Sequence, residues 1–157
     1  DFTNGDLSEF VFIDCRFNNC NFSLAKLNKT SFQNTEFVGC KMLGLRFDHC
    51  NKFGLSFSFS GCLLNHASLS EMKIRKTVFK DCQLLETDFT GADLTSALFD
   101  NCDLARTVFN QTLLEKADFR TSFNYSIDPE LSRIKKAKFS LQGIAGLLGK
   151  YDIDIEP

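Results

Sequence analysis

Apolar residues recur at every fifth position from the start of the chain: Phe2, Leu7, Phe12, Phe17, Phe22, Leu27, Phe32, Phe37, Met42 and Phe47. The series resumes at Phe59 and runs through Leu64, Leu69, Ile74, Phe79, Leu84, Phe89, Leu94, Phe99, Leu104, Phe109, Leu114 and Phe119. The twelve-residue gap from Phe47 to Phe59 is divided by Phe53 into two steps of six, which reads as two single-residue bulges. A five-residue period suits neither standard element. A helix would scatter successive members around its axis, and a flat strand would send them to alternate faces. The chain is therefore predicted to turn a corner every five residues.

Strand alternation puts the residue two before each centre on the same inward face. That second column holds Cys15, Cys20, Ala25, Thr30, Thr35 and Cys40, then Cys62, Ala67, Thr77, Cys82, Thr87, Ala92, Ala97 and Cys102, with Asn51 the exception at the bulge. Large centres beside small neighbours suit a narrow interior at native packing density. A second period, of twenty residues, sets Phe59, Phe79, Phe99 and Phe119 in one series and Leu64, Leu84 and Leu104 in another. Four five-residue sides closing into a square coil stack such residues ~4.8 Å apart. Counting Phe53, the 24 centres make about six coils, roughly 29 Å of solenoid.

Several units, among them Ala92-Asp93-Leu94-Thr95-Ser96, Thr87-Asp88-Phe89-Thr90-Gly91 and Ala117-Asp118-Phe119-Arg120-Thr121, resemble the repeat of the pentapeptide-repeat family. The resemblance covers residues 2–121 and implies an all-β fold, a right-handed quadrilateral β-helix. Residues 1–121 are expected to form it, and residues 122–157 a turn at Asp128-Pro129, a short α-helix and a terminal strand. In the tail, Ser140 is an expected N-cap, Leu141, Ile144, Ala145 and Leu148 follow helical spacing, and Tyr151, Ile153 and Ile155 alternate as in a strand. This segment is similar to the C-terminal segment of Qnr and Mfp-type topoisomerase-protecting proteins. That likeness implies a homodimer with Leu141, Ile144, Leu147, Leu148, Tyr151 and Ile153 at the interface. An intrachain cap is the alternative that the residues leave open.

Composition narrows the chemistry. The chain has 157 residues, a net charge of -2, and 18 Phe against 2 Tyr and no Trp, so its aromatic rings are suited to a dry interior. No apolar run approaches the ~20 residues of a membrane span. The charge balance argues against direct nucleic-acid binding. The chain begins at Asp1 without the pattern of a signal peptide, and a cytoplasmic location is expected. The seven cysteines, Cys15, Cys20, Cys40, Cys50, Cys62, Cys82 and Cys102, sit in the inward column and read as small buried thiols of a reducing compartment. His49 and His66 fall at corners without an acidic or thiol partner in the repeat and are expected on the surface. A solenoid filled with Phe and Leu has no cavity for a substrate, so no catalytic residue, cofactor or metal is expected.

The stretch Asp81, Glu86, Asp88, Asp93, Asp100 and Asp103 contains no Lys or Arg. Basic clusters lie before it at Lys73, Arg75, Lys76 and Lys80, and near the tail at Arg133, Lys135, Lys136 and Lys138. Such charges are commonly a solvated face. The family resemblance adds a second reading, in which the acidic stretch mimics DNA and binds DNA gyrase or topoisomerase IV, protecting it from quinolones. An adaptor that binds another protein partner is the alternative. An unbroken negative stripe would favour mimicry, and mixed charge would argue against it.

Overall fold

The computed structural model describes residues 1–156, of which residues 2–139 form a four-sided parallel β-solenoid. Its regular strands are β1 (Val11–Ile13), β2 (Arg16–Asn18), β3 (Ser31–Gln33), β4 (Thr35–Val38), β5 (Phe57–Ser60), β6 (Val78–Lys80) and β7 (Leu98–Asp100). β1 pairs with β3, and β2-β4-β5-β6-β7 form one parallel sheet. Isolated parallel bridges continue the stacking on the other sides, for example Lys73 to Asp93, Asp93 to Leu113 and Leu113 to Arg133.

The corners come from backbone geometry. The second residue after most centres has positive φ, as at Glu86 (53°), Gly91 (68°) and Ser96 (60°). The next amide donates back to the centre's carbonyl, Ala92 to Phe89 at 2.9 Å and Ala97 to Leu94 at 2.9 Å. These are type II turns, which require a left-handed residue at their third position. Left-handed backbone costs a side-chain-bearing residue ~1–2 kcal/mol. Bonds between coils offset it: the Glu86 amide donates to the Ala105 carbonyl at 3.0 Å.

Inside, the rings of Phe17, Phe37, Phe59, Phe79, Phe99, Phe119 and Phe139 form one continuous ladder, each stacked on the next. The ladder runs beyond the expected boundary at residue 121, because Lys138 pairs with Asp118 and the Leu114 amide donates to the Arg133 carbonyl. Inward small residues also bond. The hydroxyls of Thr87, Thr107 and Thr112 donate to the carbonyls of Leu64, Leu84 and Phe89 at 2.7–3.0 Å, and the Cys102 thiol to that of Phe79 at 3.3 Å. These positions read from sequence as merely small; they also satisfy carbonyls of the preceding coil.

Two expectations are corrected. In place of two bulges around an inward Phe53, there is one loop over residues 51–56, and Phe53 is 82% exposed. Cys50, not Asn51, holds the inward position there. Phe57 fills the room without a centre, its ring 5.5 Å from Phe47 and 5.0 Å from Phe59, and Leu55 packs against the core. In the tail, two 3₁₀ turns, Ile144–Leu147 and Gly149–Tyr151, replace the expected α-helix, and no strand follows among the described residues. The cause is a glycine at every third position. A Cβ on Gly143 would lie 2.0 Å from the Tyr125 hydroxyl oxygen, and one on Gly146 2.3 Å from the Tyr125 carbonyl oxygen. Residues three apart align in a 3₁₀ helix, so Gly143, Gly146 and Gly149 make one bare edge that accepts Tyr125 and Ser126.

Candidate functional site

Because the centres are sealed, any site lies on the outer surface. The six acidic residues from Asp81 to Asp103 do not share a side. Asp100 lies on the side of the phenylalanine ladder and Asp81 at the corner beside it, Asp103 on the next side, Asp88 on the one after it and Asp93 on the fourth, while Glu86 stands at a corner. A stretch longer than one coil necessarily wraps the solenoid.

These acids are also engaged. Asp81 accepts from Asn101 at 2.7 Å, Asp100 from Thr121 at 3.0 Å and Asp103 from Asn124 at 2.9 Å. Glu86 lies 2.6 Å from Arg106 and 3.1 Å from His66. His66 is exposed as expected, yet it has the acidic neighbour, one coil on, that the sequence reading denied it. Asp93 is buried and accepts from Arg75 at 2.6 Å and from the Thr95 hydroxyl at 2.7 Å. Burial opposes its ionisation, but hydrogen bonds from Thr95 and Arg75 outweigh that and hold its carboxyl below the usual value.

The basic residues do the reverse. Two clusters about sixty residues apart in the chain converge on one side, since Lys73 and Arg133 belong to the same bridge series. From the coil of Ile74 to that of Ile134 the exposed cations of that side are Lys73, Arg75, Lys76, Lys116, Arg133, Lys135 and Lys136, whereas its carboxylates are the buried Asp93 and the half-buried Glu115, with the exposed Glu71 at the corner before it; nearer the first coil the side carries Lys52 and Asp14. Sequence distance hid this; the twenty-residue period was the signal that could have found it. Lys80 and Lys138 project from the phenylalanine-ladder side.

The expected dimer residues are divided. Leu141 (83%), Ile144 (42%), Tyr151 (53%) and Ile153 (54%) are exposed, but Leu147 is buried in the core and Leu148 is half-buried. Lys150 ties the tail to the turn before it, 2.9 Å from Asp128 and 2.6 Å from Glu130.

Among the described residues no group of three or more His, Cys, Asp or Glu is placed to hold a metal ion. Cys20, Cys40, Cys62, Cys82 and Cys102 occupy successive coils of one inward column, the extra residues at 51–56 carrying the register across. Burial followed by Asp48 pushes the Cys50 thiol up to about 12. That thiol is protonated at neutral pH. Among the described residues no helix is long and apolar enough to cross a membrane.

A family model described as "Pentapeptide repeat region" matches residues 55–123, and one described as "Pentapeptide repeats (8 copies)" matches residues 1–34 and 15–51. The chain belongs to the pentapeptide-repeat family. No curated protein matches it. Among solved structures of pentapeptide-repeat proteins, a trypsin-treated form of QnrB1, described as a plasmid-mediated fluoroquinolone resistance protein, is 21% identical with a TM-score of 0.54, covering 99% of this chain and 85% of that one. HetL from the cyanobacterium Nostoc sp., described as involved in heterocyst differentiation regulation, is 12% identical with a TM-score of 0.38, covering 88% of each chain. At 21% identity the likeness to QnrB1 speaks for the fold alone.

Proposed function

We propose that this pentapeptide-repeat protein is a non-enzymatic docking rod that presents one side of its solenoid to another protein. The observation that supports this most directly is the filled interior. Phe79, Phe89, Phe99, Leu104 and Leu114 are fully buried, so recognition falls to the exterior. Flat, regularly spaced side-chain rows suit a protein surface better than a small substrate, which needs a concave site. The topoisomerase reading draws on the fold likeness to QnrB1. It asks for a negative stripe, and the wrapped, engaged acids count against it.

The exposed Leu141, Ile144, Tyr151 and Ile153 support a contact with a second copy at the C-terminal end, and the mass in solution of the full chain and of a chain ending at residue 139 tests that contact. For the rod itself, the experiment is affinity capture followed by charge reversal on each side in turn. Capture lost by reversal on one side only is expected, and capture indifferent to every side would overturn the reading. A DNA supercoiling assay with gyrase and a fluoroquinolone separates the alternatives. No effect is expected, and protection at micromolar protein would restore the mimic.

A further inference from the structure

From the converged basic side we infer that the docking partner is an acidic protein surface, held by two clusters of cations and anchored by Phe53. The inference rests on the docking-rod reading and names the chemistry it would recognise. The first cluster is Lys73, Arg75 and Lys76, on consecutive positions around Ile74. The second is Lys116 with Arg133, Lys135 and Lys136, on the coils beyond. Between them the coil of Asp93, Thr95 and Ser96 offers no exposed cation. Over these coils seven exposed cations face a buried Asp93 paired with Arg75, a half-buried Glu115 3.9 Å from Arg133 and the exposed Glu71 at the adjoining corner, a local excess of positive charge in a chain of net charge -2.

Phe53 adds the apolar element. Its loop stands over the same side: a Cβ on Gly54 would lie 3.2 Å from the Gln33 side chain, and Lys52 donates to the Glu71 carbonyl at 3.5 Å in the next coil. An aromatic ring that is 82% exposed, beside a positive field, matches the anchor-and-rim anatomy of protein interfaces. A nucleic acid fits less well. Duplex phosphates present one charge per about 1.7 Å of axis, whereas these cations form separate groups, with Lys76 and Lys116 two coils or about 9.6 Å apart. Discrete carboxylates of a folded protein or acidic segment match that spacing, and the complementary charge speeds encounter.

The test uses the full chain and labelled poly-L-glutamate, with a single-stranded thymidine oligonucleotide of equal charge as competitor, at about 150 mM salt. Lys76, Lys116 and Lys136 are changed together to Glu, a residue the same left-handed corners already accept at Glu9, Glu71 and Glu86. Thermal unfolding confirms that the variant folds. We expect the triple change to weaken poly-glutamate binding at least about tenfold, while Lys26→Glu with Lys29→Glu on another side leaves it within about twofold. Phe53→Ser should weaken a Glu/Leu peptide about threefold and leave poly-glutamate unaffected. Absence of poly-glutamate binding, equal loss in both lysine variants, or tighter oligonucleotide binding through these lysines would each overturn the inference. Release of the captured partner only by reversals on a different side would do so too, while leaving the docking-rod reading standing.

Discussion

Between Phe59 and Phe119 the four ladder rings lie 4.7–5.2 Å apart and within 8° of parallel. Tyr125, in the segment that closes the solenoid, is tilted 52° to Phe119 and 49° to Phe139. Both regions are apolar and buried, but they are held differently. In the coils a residue's role follows from its position in a lattice, and each coil contacts only its neighbours. In the closure the role follows from single contacts, such as the fit of Gly146 against Tyr125. Substitutions should therefore act through cavity and register in the first region and through detachment of one segment in the second.

The largest expected effect is in the lattice. Phe79→Ala should cost about 3–5 kcal/mol in urea unfolding, and Phe12→Ala, half-exposed in the first coil, about 1–2 kcal/mol; equal costs would break the comparison. Next comes Asp93→Asn, which removes a carboxylate that accepts from Arg75 and Thr95 and should cost about 1.5–3 kcal/mol at neutral pH. The folded carboxyl is held below its ordinary value, so its stabilisation is present above the unfolded pKa and fades as pH falls through the folded one. Wild type and variant should therefore converge in acid, and a constant difference across that range would contradict the assignment.

Gly146→Ala sharpens the comparison from the other side. It should loosen the tail by about 1–3 kcal/mol, read by hydrogen exchange over residues 140–151, while the unfolding midpoint of the coils barely moves. A collapse of the whole transition would mean that closure and coils are one cooperative unit. Smallest is Gly91→Ala, at φ 68° with its nearest contact at 3.5 Å, which should cost about 1 kcal/mol through the backbone alone.

What was legible in the sequence divides along the same line. The five- and twenty-residue periods revealed the solenoid because the lattice writes itself into spacing, and Phe59, Phe79, Phe99 and Phe119 stack as those periods require. Phe53 and Phe57 were equally apolar candidates for the interior, and periodicity has no means of choosing when two residues are inserted; packing against Phe47 decides for Phe57. The tail had helical spacing at Leu141, Ile144 and Leu148, but Gly143, Gly146 and Gly149 answer to Tyr125, a contact invisible from local pattern. For the surface, the acidic stretch is continuous in sequence and wrapped in space, while Lys76 and Lys136 are distant in sequence and share one side.

The right-angled corners give chain length an angular meaning. Removing five residues from the middle would turn everything beyond the cut by a quarter revolution, carrying Arg133, Lys135 and Lys136 away from Lys73 and Lys76. Removing twenty would shorten the molecule and leave its azimuths aligned. Insertions and deletions in such a protein are thus rotations as much as changes of size, and whole revolutions are the ones that leave a composite binding stripe intact.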